Sequence, residues 1–144
     1  MIGEFHFDTE GWGLTHNDKE LIRSDGSEKI YFLDSAKLSV TRTITVTDNG
    51  ARVKSLNELE YVDGYLYANV YETSRIVKID PSTGKVVGRL DLSTIVDEIK
   101  RMYQNTAELN GIAYDKNSKA FLITGKLWPK SYLIRIQQTG RKAS

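Results

Sequence analysis

The side chains that could carry covalent or metal chemistry are few. The sequence contains no cysteine, which excludes disulfides, thiolate nucleophiles and cysteine-ligated metals within it. Its histidines, His6 and His16, share no spacing typical of metal ligands, and neither a glycine-rich phosphate loop nor a Ser/His/Asp pattern stands out. Glu58 and Glu60 alternate along a predicted strand and point to one side, where they could hold a cation or form structural ion pairs. We expect no metal and no cofactor.

Five other polar or aromatic residues occupy recurring places in a repeated pattern of the chain. Three segments beginning at Trp12, Asn57 and Asn110 resemble one another. A turn signal, a second apolar run and a third apolar run follow each of them, and the first two units add a fourth. The predicted later strands are 21–22, 30–34 and 38–46 in the first unit, 65–70, 76–80 and 85–91 in the second, and 121–124 and 132–136 in the third.

Four short antiparallel strands in each unit of about 40–50 residues are typical of a β-propeller blade. A β-sandwich is the alternative, but it does not require the same four-part pattern to recur. We therefore predict an all-β chain, a single partial β-propeller domain over residues 1–144.

The predicted blades span about 9–48, 56–92 and 109–137, and an additional strand over 2–7 completes a blade. Apolar residues at helical spacing predict one short helix from Ser93 to Gln104, with Ser93 as the N-cap. The residues after Gln137 are predicted to be a polar tail.

The repeats predict where a binding site would lie. Trp12, Asn57 and Asn110 open the first strands of their units, whereas Tyr71 and Lys126 end second strands. Antiparallel pairing places the start of one strand beside the end of the next, so these five residues should gather at one rim of the channel. Structural roles are the alternative: a core cap for Trp12, backbone bonding for the asparagines and a solvated lysine.

Several motifs then resemble one known family, in the same order. They are Glu10-Gly11-Trp12-Gly13-Leu14-Thr15, Ser24-Asp25-Gly26-Ser27, Tyr31-Phe32-Leu33-Asp34, Val46-Thr47-Asp48-Asn49-Gly50, Leu56-Asn57-Glu58-Leu59-Glu60-Tyr61 and Thr124-Gly125-Lys126-Leu127-Trp128-Pro129. The chain, from about Ile2 to Ile136, resembles the plant and bacterial type of glutaminyl-peptide cyclotransferase. That family folds as a five-bladed propeller, and this sequence corresponds to its last three blades.

The resemblance implies a reaction that converts an N-terminal glutaminyl residue into pyroglutamate and releases ammonia. The α-amine attacks the γ-carboxamide carbon, so the site must move a proton and stabilise an oxyanion. The family's acid/base glutamate and a nearby glutamine belong to the first two blades, which have no counterpart here. The alternative function is therefore a catalytically inactive, propeller-type module for ligand binding or assembly.

The resemblance also implies roles for individual residues. Trp12 would be a pocket wall, Asn57 would orient the γ-amide, and Lys126 would stabilise the oxyanion or the carboxamide. Tyr71 stands where the family has a second pocket tryptophan, which keeps an aromatic face and adds a hydroxyl. Asn110 joins the predicted substrate-binding residues because of its place in the repeat.

Charge and hydropathy limit the predicted partners. The formal net charge is +1, which argues against a nucleic-acid binder, since such proteins usually carry a clear basic excess. No apolar run approaches the length needed to span a bilayer, and the first residues do not resemble a signal peptide. We expect a peptide or small-molecule ligand, no nucleic acid, no membrane, and a cytoplasmic location as written. The family resemblance also allows a periplasmic or secreted one.

Three blades cannot close a ring, because propellers close with four to eight. We expect a homodimer that forms a six-bladed ring, in which the strand over residues 2–7 completes the partner's last blade. Deleting residues 1–7 should then abolish the dimer and most of the soluble protein, as measured by light scattering. A stable monomer, with or without that segment, would refute the prediction.

Overall fold

The computed structural model describes residues 1–137, so most of the predicted polar tail and the end of the predicted domain lie outside the described residues. The strands are β1 (Leu14–His16), β2 (Glu20–Ser24), β3 (Lys29–Asp34), β4 (Val40–Thr45), β5 (Thr47–Asp48), β6 (Ala51–Arg52), β7 (Leu56–Val62), β8 (Tyr65–Val70), β9 (Arg75–Ile79), β10 (Val86–Asp91), β11 (Leu109–Asp115), β12 (Ala120–Gly125) and β13 (Tyr132–Ile134). The helix α1 spans Ser93–Met102.

These strands form four antiparallel sheets with up-and-down order. The first sheet contains β1-β2-β3-β4, the second contains β7-β8-β9-β10, the third contains β11-β12-β13, and β5 and β6 form a hairpin. Each two-residue turn or short loop joins neighbouring strands, which keeps every pairing local in sequence. The predicted all-β class with one short helix is confirmed.

The second sheet is buried on both faces and lies between the other two large sheets. In β8, Leu66 belongs to a core shared with the first sheet, whereas Tyr67 belongs to a core shared with the third. In β9, Val77 and Ile76 divide in the same way. Because successive side chains of a strand point to opposite faces, this continuous apolar pattern builds two cores from one sheet.

The helix is confirmed and begins at Ser93 as predicted, but it ends at Met102 rather than Gln104, and its cap differs from the prediction. Leu92, not Ser93, is the N-cap, and it makes no side-chain cap hydrogen bond. The carboxylate of Asp91 instead accepts a hydrogen bond from the Ser93 backbone N–H at 2.8 Å. Val96 and Ile99 bury the apolar side of the helix. Among the described residues, no helix combines the length and the hydropathy needed to cross a bilayer.

The N-terminal segment differs more. Residues 2–7 form no strand and are exposed. Arg23, on β2, lies over the ring of Phe7, with 4.3 Å between the guanidinium carbon and the ring centroid. It also donates a hydrogen bond to the hydroxyl of Thr9 at 2.7 Å. The segment thus contacts its own first sheet, and both its exchange with a second copy and the six-bladed ring stay predictions.

Two smaller differences concern a hairpin and the end of a strand. The β5–β6 hairpin was not predicted, although Asn49 and Gly50 both have positive φ, 49° and 86°, as a type I′ turn requires. The third strand of the last sheet ends at Ile134 rather than residue 136.

At Gly13 the main chain lies close to the second sheet. A β-carbon at this position would overlap the carbonyl oxygen of Asn57. Two residues earlier, a β-carbon on Gly11 would meet nothing within 4 Å. The family-like Gly-Trp-Gly segment therefore contains one glycine that packing requires and one that it does not.

Gly13→Ala should destabilise the fold by about 1–3 kcal/mol, because the added methyl group forces the two sheets apart. Gly11→Ala is the matched control and should change stability little. Urea unfolding followed by circular dichroism measures both. Equal stability of the two variants would contradict the close packing of the first and second sheets at Gly13.

Candidate functional site

The first strands of the second and third sheets begin with bulges. The β7–β8 register shifts between Leu56 and Leu59, and the β11–β12 register shifts between Leu109 and Ile112. β7 contacts both β1 and β11, so the starts of these three strands form one edge, which we call the first-strand rim. Bulges re-aim the side chains that they carry, which here places Asn57 and Asn110 at this rim.

Trp12 precedes β1 and extends its ladder. Its backbone N–H donates to the carbonyl of Ser24 at 3.1 Å, and the Ser24 N–H donates to the carbonyl of Gly13 at 3.0 Å. The indole lies against Gly26, where any β-carbon would collide with the ring. These contacts hold the half-buried indole at the first-strand rim.

Tyr71 follows β8 and lies between Trp12 and Lys126. Its ring meets the indole of Trp12 edge to face, with centroids 5.4 Å apart and an angle of 82° between the planes. The Lys126 ammonium donates a hydrogen bond to the Tyr71 hydroxyl at 3.2 Å and lies 4.6 Å from the ring centroid. Three elements distant in sequence thus build one cluster of an aromatic wall and a cation.

The turn after β12 directs Lys126 to this cluster. The Lys126 N–H donates to the carbonyl of Glu108 at 2.9 Å, which extends the β11–β12 ladder. The indole of Trp128 covers Gly125, where a β-carbon would collide with it, and its N–H donates to the carbonyl of Ala107 at 3.0 Å. Trp128 is therefore a support for the turn that carries Lys126.

Ser24 joins the first sheet to the bulge of the second. Its buried hydroxyl donates to the carbonyl oxygen of Asn57 at 2.6 Å, while its own carbonyl accepts from Trp12. One residue thus holds the main chains of both Trp12 and Asn57. Asn57 itself is buried.

Asn69 links the second sheet to the third in the corresponding way. Its side-chain oxygen accepts from the backbone N–H of Gly111 at 3.2 Å. The side-chain nitrogen of the fully buried Asn69 and the side-chain oxygen of Asn110 both lack a hydrogen-bond partner among the described residues. The Asn69 nitrogen is a donor and the Asn110 oxygen is an acceptor.

The structure brings Tyr71 into contact with both Trp12 and Lys126, whereas the repeats predicted only that all five residues gather at one rim. No hydrogen bond within residues 1–137 joins the side chain of Asn57 or Asn110 to these three, and the roles of all five residues stay predictions. An aromatic wall beside an ammonium and a hydroxyl suits a ligand with a carbonyl oxygen next to a short apolar stem.

Sequence analysis missed Ser24 and Asn69 as positioning residues. A signal existed: Ser24, Asn69 and Thr124 are polar residues at equivalent places near the ends of the second strands. Polar side chains at buried places need partners, and the bulge of the next sheet supplies them for the first two.

Two half-buried carboxylates lie along β7. Burial raises the pKa of the Glu58 carboxyl above its ordinary value. Burial also raises the pKa of Glu60, although the charges of His16 and Lys116 oppose this. Glu60 lines a cavity of about 530 Å³ near the far ends of β1, β7 and β11, so it lies away from the first-strand rim. Over residues 1–137, no three His, Asp or Glu side chains group where they could hold a metal ion.

Comparison with known proteins bears on this geometry. A family model described as glutamine cyclotransferase matches residues 1–136. The chain belongs to the glutamine cyclotransferase family. It is similar to the glutaminyl-peptide cyclotransferase of Arabidopsis thaliana, with 37% identity over 139 residues, which cover 96% of this chain and 43% of that protein.

Solved structures agree with the assignment. The crystal structure of the Myxococcus xanthus glutaminyl cyclase matches with a TM-score of 0.85 and 37% identity, covering 90% of this chain and 56% of that one. The hydrazine synthase of Kuenenia stuttgartiensis matches with a TM-score of 0.56 and 13% identity, which concerns the fold alone. This family member therefore has the propeller-like fold of glutaminyl cyclase and spans about half the length of the relatives it matches.

The raised pKa of Glu58 makes folding depend on pH. The folded state binds the proton more tightly than the unfolded state, so stability falls as pH rises from the ordinary value of 4.5 through the raised one. Glu58→Gln should therefore be more stable than the unaltered protein at about pH 7, and the difference should shrink at about pH 4. Urea unfolding at both pH values measures this.

The exposed Glu72 provides the control. Glu72→Gln, at an exposed position, should change stability at pH 7 by less than Glu58→Gln does. A Glu58→Gln variant that gains stability equally at acid and neutral pH would contradict the titration argument.

Proposed function

We propose that this family member acts on N-terminal glutaminyl peptides and closes them to pyroglutamyl peptides with release of ammonia. The contact of Trp12, Tyr71 and Lys126 at the first-strand rim carries the proposal. An aromatic wall suits the short methylene stem of glutamine, and a cation beside it suits the oxygen of the γ-carboxamide. Family membership adds support, because the solved relative with this fold bears the name glutaminyl cyclase and the relative that is 37% identical in sequence bears the name glutaminyl-peptide cyclotransferase.

The proposed chemistry needs charge stabilisation where the carbonyl oxygen becomes an oxyanion. Lys126 would donate to that oxygen, because an ammonium donates without accepting. Asn57 would orient the amide of the substrate, and Trp12 would exclude water from one side of it. Asn110, whose side-chain oxygen has no hydrogen-bond partner within residues 1–137, would accept from the substrate or from an ordered water.

We further propose that the three large sheets are three blades of a propeller. The support is that the three sheets have the same strand order. In each sheet, the strand that contributes to the first-strand rim comes first in the chain, and each later strand lies one place further from that first strand. The equivalent places of Ser24 and Asn69, each bonded to the next sheet, add to this support.

A ligand-binding module without turnover is the second candidate. One observation favours it: the hydroxyl of Tyr71, which stands where the resemblance places a tryptophan, is bonded to the cation that the reaction would use. Such a site could hold a peptide terminus tightly. It would then bind glutaminyl and pyroglutamyl peptides without converting one into the other.

Incubation with a glutamine-initiated dipeptide should release ammonia, and mass spectrometry should show the pyroglutamyl product. Lys126→Met should lower kcat by about 10²–10³-fold, as expected for loss of one oxyanion donor. Lys37→Met removes an exposed lysine of the turn between β3 and β4 and should leave turnover unchanged. Absence of product above the uncatalysed rate would overturn the catalytic proposal, and saturable binding without product would favour the second candidate.

A further inference from the structure

The hydroxyl of Tyr71 is in a specific hydrogen-bonding state. A phenol carries one O–H donor and lone pairs that accept, whereas an ammonium only donates. Lys126 must therefore be the donor in the 3.2 Å contact, and the Tyr71 oxygen the acceptor. This is the one hydrogen bond of the Tyr71 hydroxyl within residues 1–137, so its own hydrogen remains available to a ligand.

The orientation of the ring is held from several sides. The backbone N–H of Tyr71 donates to the carbonyl of Ser55 at 2.8 Å. The edge-to-face contact with Trp12 and the ammonium of Lys126, 4.6 Å from the ring centroid, constrain the side chain. A donor whose direction is set before the ligand arrives costs little reorganisation when charge develops.

We infer that the Tyr71 hydroxyl and the Lys126 ammonium form one donor pair that binds a carbonyl oxygen of the ligand and stabilises it as an oxyanion. The inference rests on the proposed function and deepens it by assigning a hydroxyl donor to the site. A tryptophan at this place could not form the pair, since an indole N–H is a donor without an acceptor for the lysine. Tyr71 is therefore more than an aromatic wall.

In the proposed cyclisation, the α-amine nitrogen of the substrate forms a bond to the γ-carboxamide carbon. The carbonyl π electrons move to the oxygen, where the O–H of Tyr71 and an N–H of Lys126 hold the negative charge. The intermediate then collapses, the bond to the amide nitrogen breaks, and the proton lost by the attacking amine leaves with the departing ammonia. Tyr71 and Lys126 end in the protonation states in which they began.

Tyr71→Phe removes the hydroxyl and keeps the ring. It should lower kcat by roughly 10²-fold with little change in KM, because the donor acts mainly on the oxyanion. Tyr65→Phe is the matched control: the Lys78 ammonium lies 4.0 Å from the Tyr65 ring centroid, at a place remote from the first-strand rim.

A second readout does not depend on turnover. In protein labelled with ¹⁵N-lysine, the side-chain NMR signal of Lys126 is assigned by its loss in Lys126→Arg. It should shift in Tyr71→Phe and stay unchanged in Tyr65→Phe. Addition of a pyroglutamyl dipeptide, which offers a lactam carbonyl, should shift the signal in the unaltered protein and do so at higher concentration in Tyr71→Phe.

These measurements separate the two proposals. If the unaltered protein makes no pyroglutamate but the lactam response depends on Tyr71, the cyclisation fails and the donor pair stands as a carbonyl-binding site. Full kcat in Tyr71→Phe overturns the donor pair while leaving the cyclisation intact. The donor pair is also overturned if the Lys126 signal changes neither in Tyr71→Phe nor on addition of the pyroglutamyl dipeptide.

Discussion

The short hydrogen bond from the hydroxyl of Ser24 to the carbonyl oxygen of Asn57 is the contact on which the rest of the rim depends. It is buried, and it links residues far apart in the chain. The same carbonyl oxygen of Asn57 lies so close to Gly13 that a side chain would not fit there. A buried carbonyl without a donor is costly, so the first and second sheets are held in one relative position. That position places Trp12 within reach of Tyr71.

The third sheet joins the same arrangement through Asn69, whose side chain holds the main chain of Gly111. Once this seam is set, the turn after β12 carries Lys126 to the hydroxyl of Tyr71. The site is thus assembled at two seams between sheets rather than within any one sheet. Binding residues commonly lie on loops that a rigid scaffold positions, and here the scaffold is the pair of cores on either side of the second sheet.

Membership of the glutamine cyclotransferase family and the geometry of the rim support one another from different directions. Family membership rests on similarity along nearly the whole chain, whereas the rim contacts rest on three residues. The chain spans 43% of the Arabidopsis thaliana relative, so the activity of this chain is a proposal that the ammonia-release assay tests. This chain has a tyrosine at position 71, where the resemblance places a tryptophan, and the hydroxyl of Tyr71 gives Lys126 a hydrogen-bond acceptor.

The sequence by itself determined most strands of the three large sheets, because alternating apolar residues and turn signals are local: 65–70 is predicted as a strand and is β8. It also determined that Trp12, Tyr71 and Lys126 lie at one edge, since antiparallel pairing follows from strand order. The β5–β6 hairpin was locally encoded by Asn49-Gly50 and was overlooked. Only the tertiary structure decided that Ser24 and Asn69 hold the bulges, and that Lys126 bonds to the Tyr71 hydroxyl. Those contacts join different sheets, and no local pattern sets the distance between them.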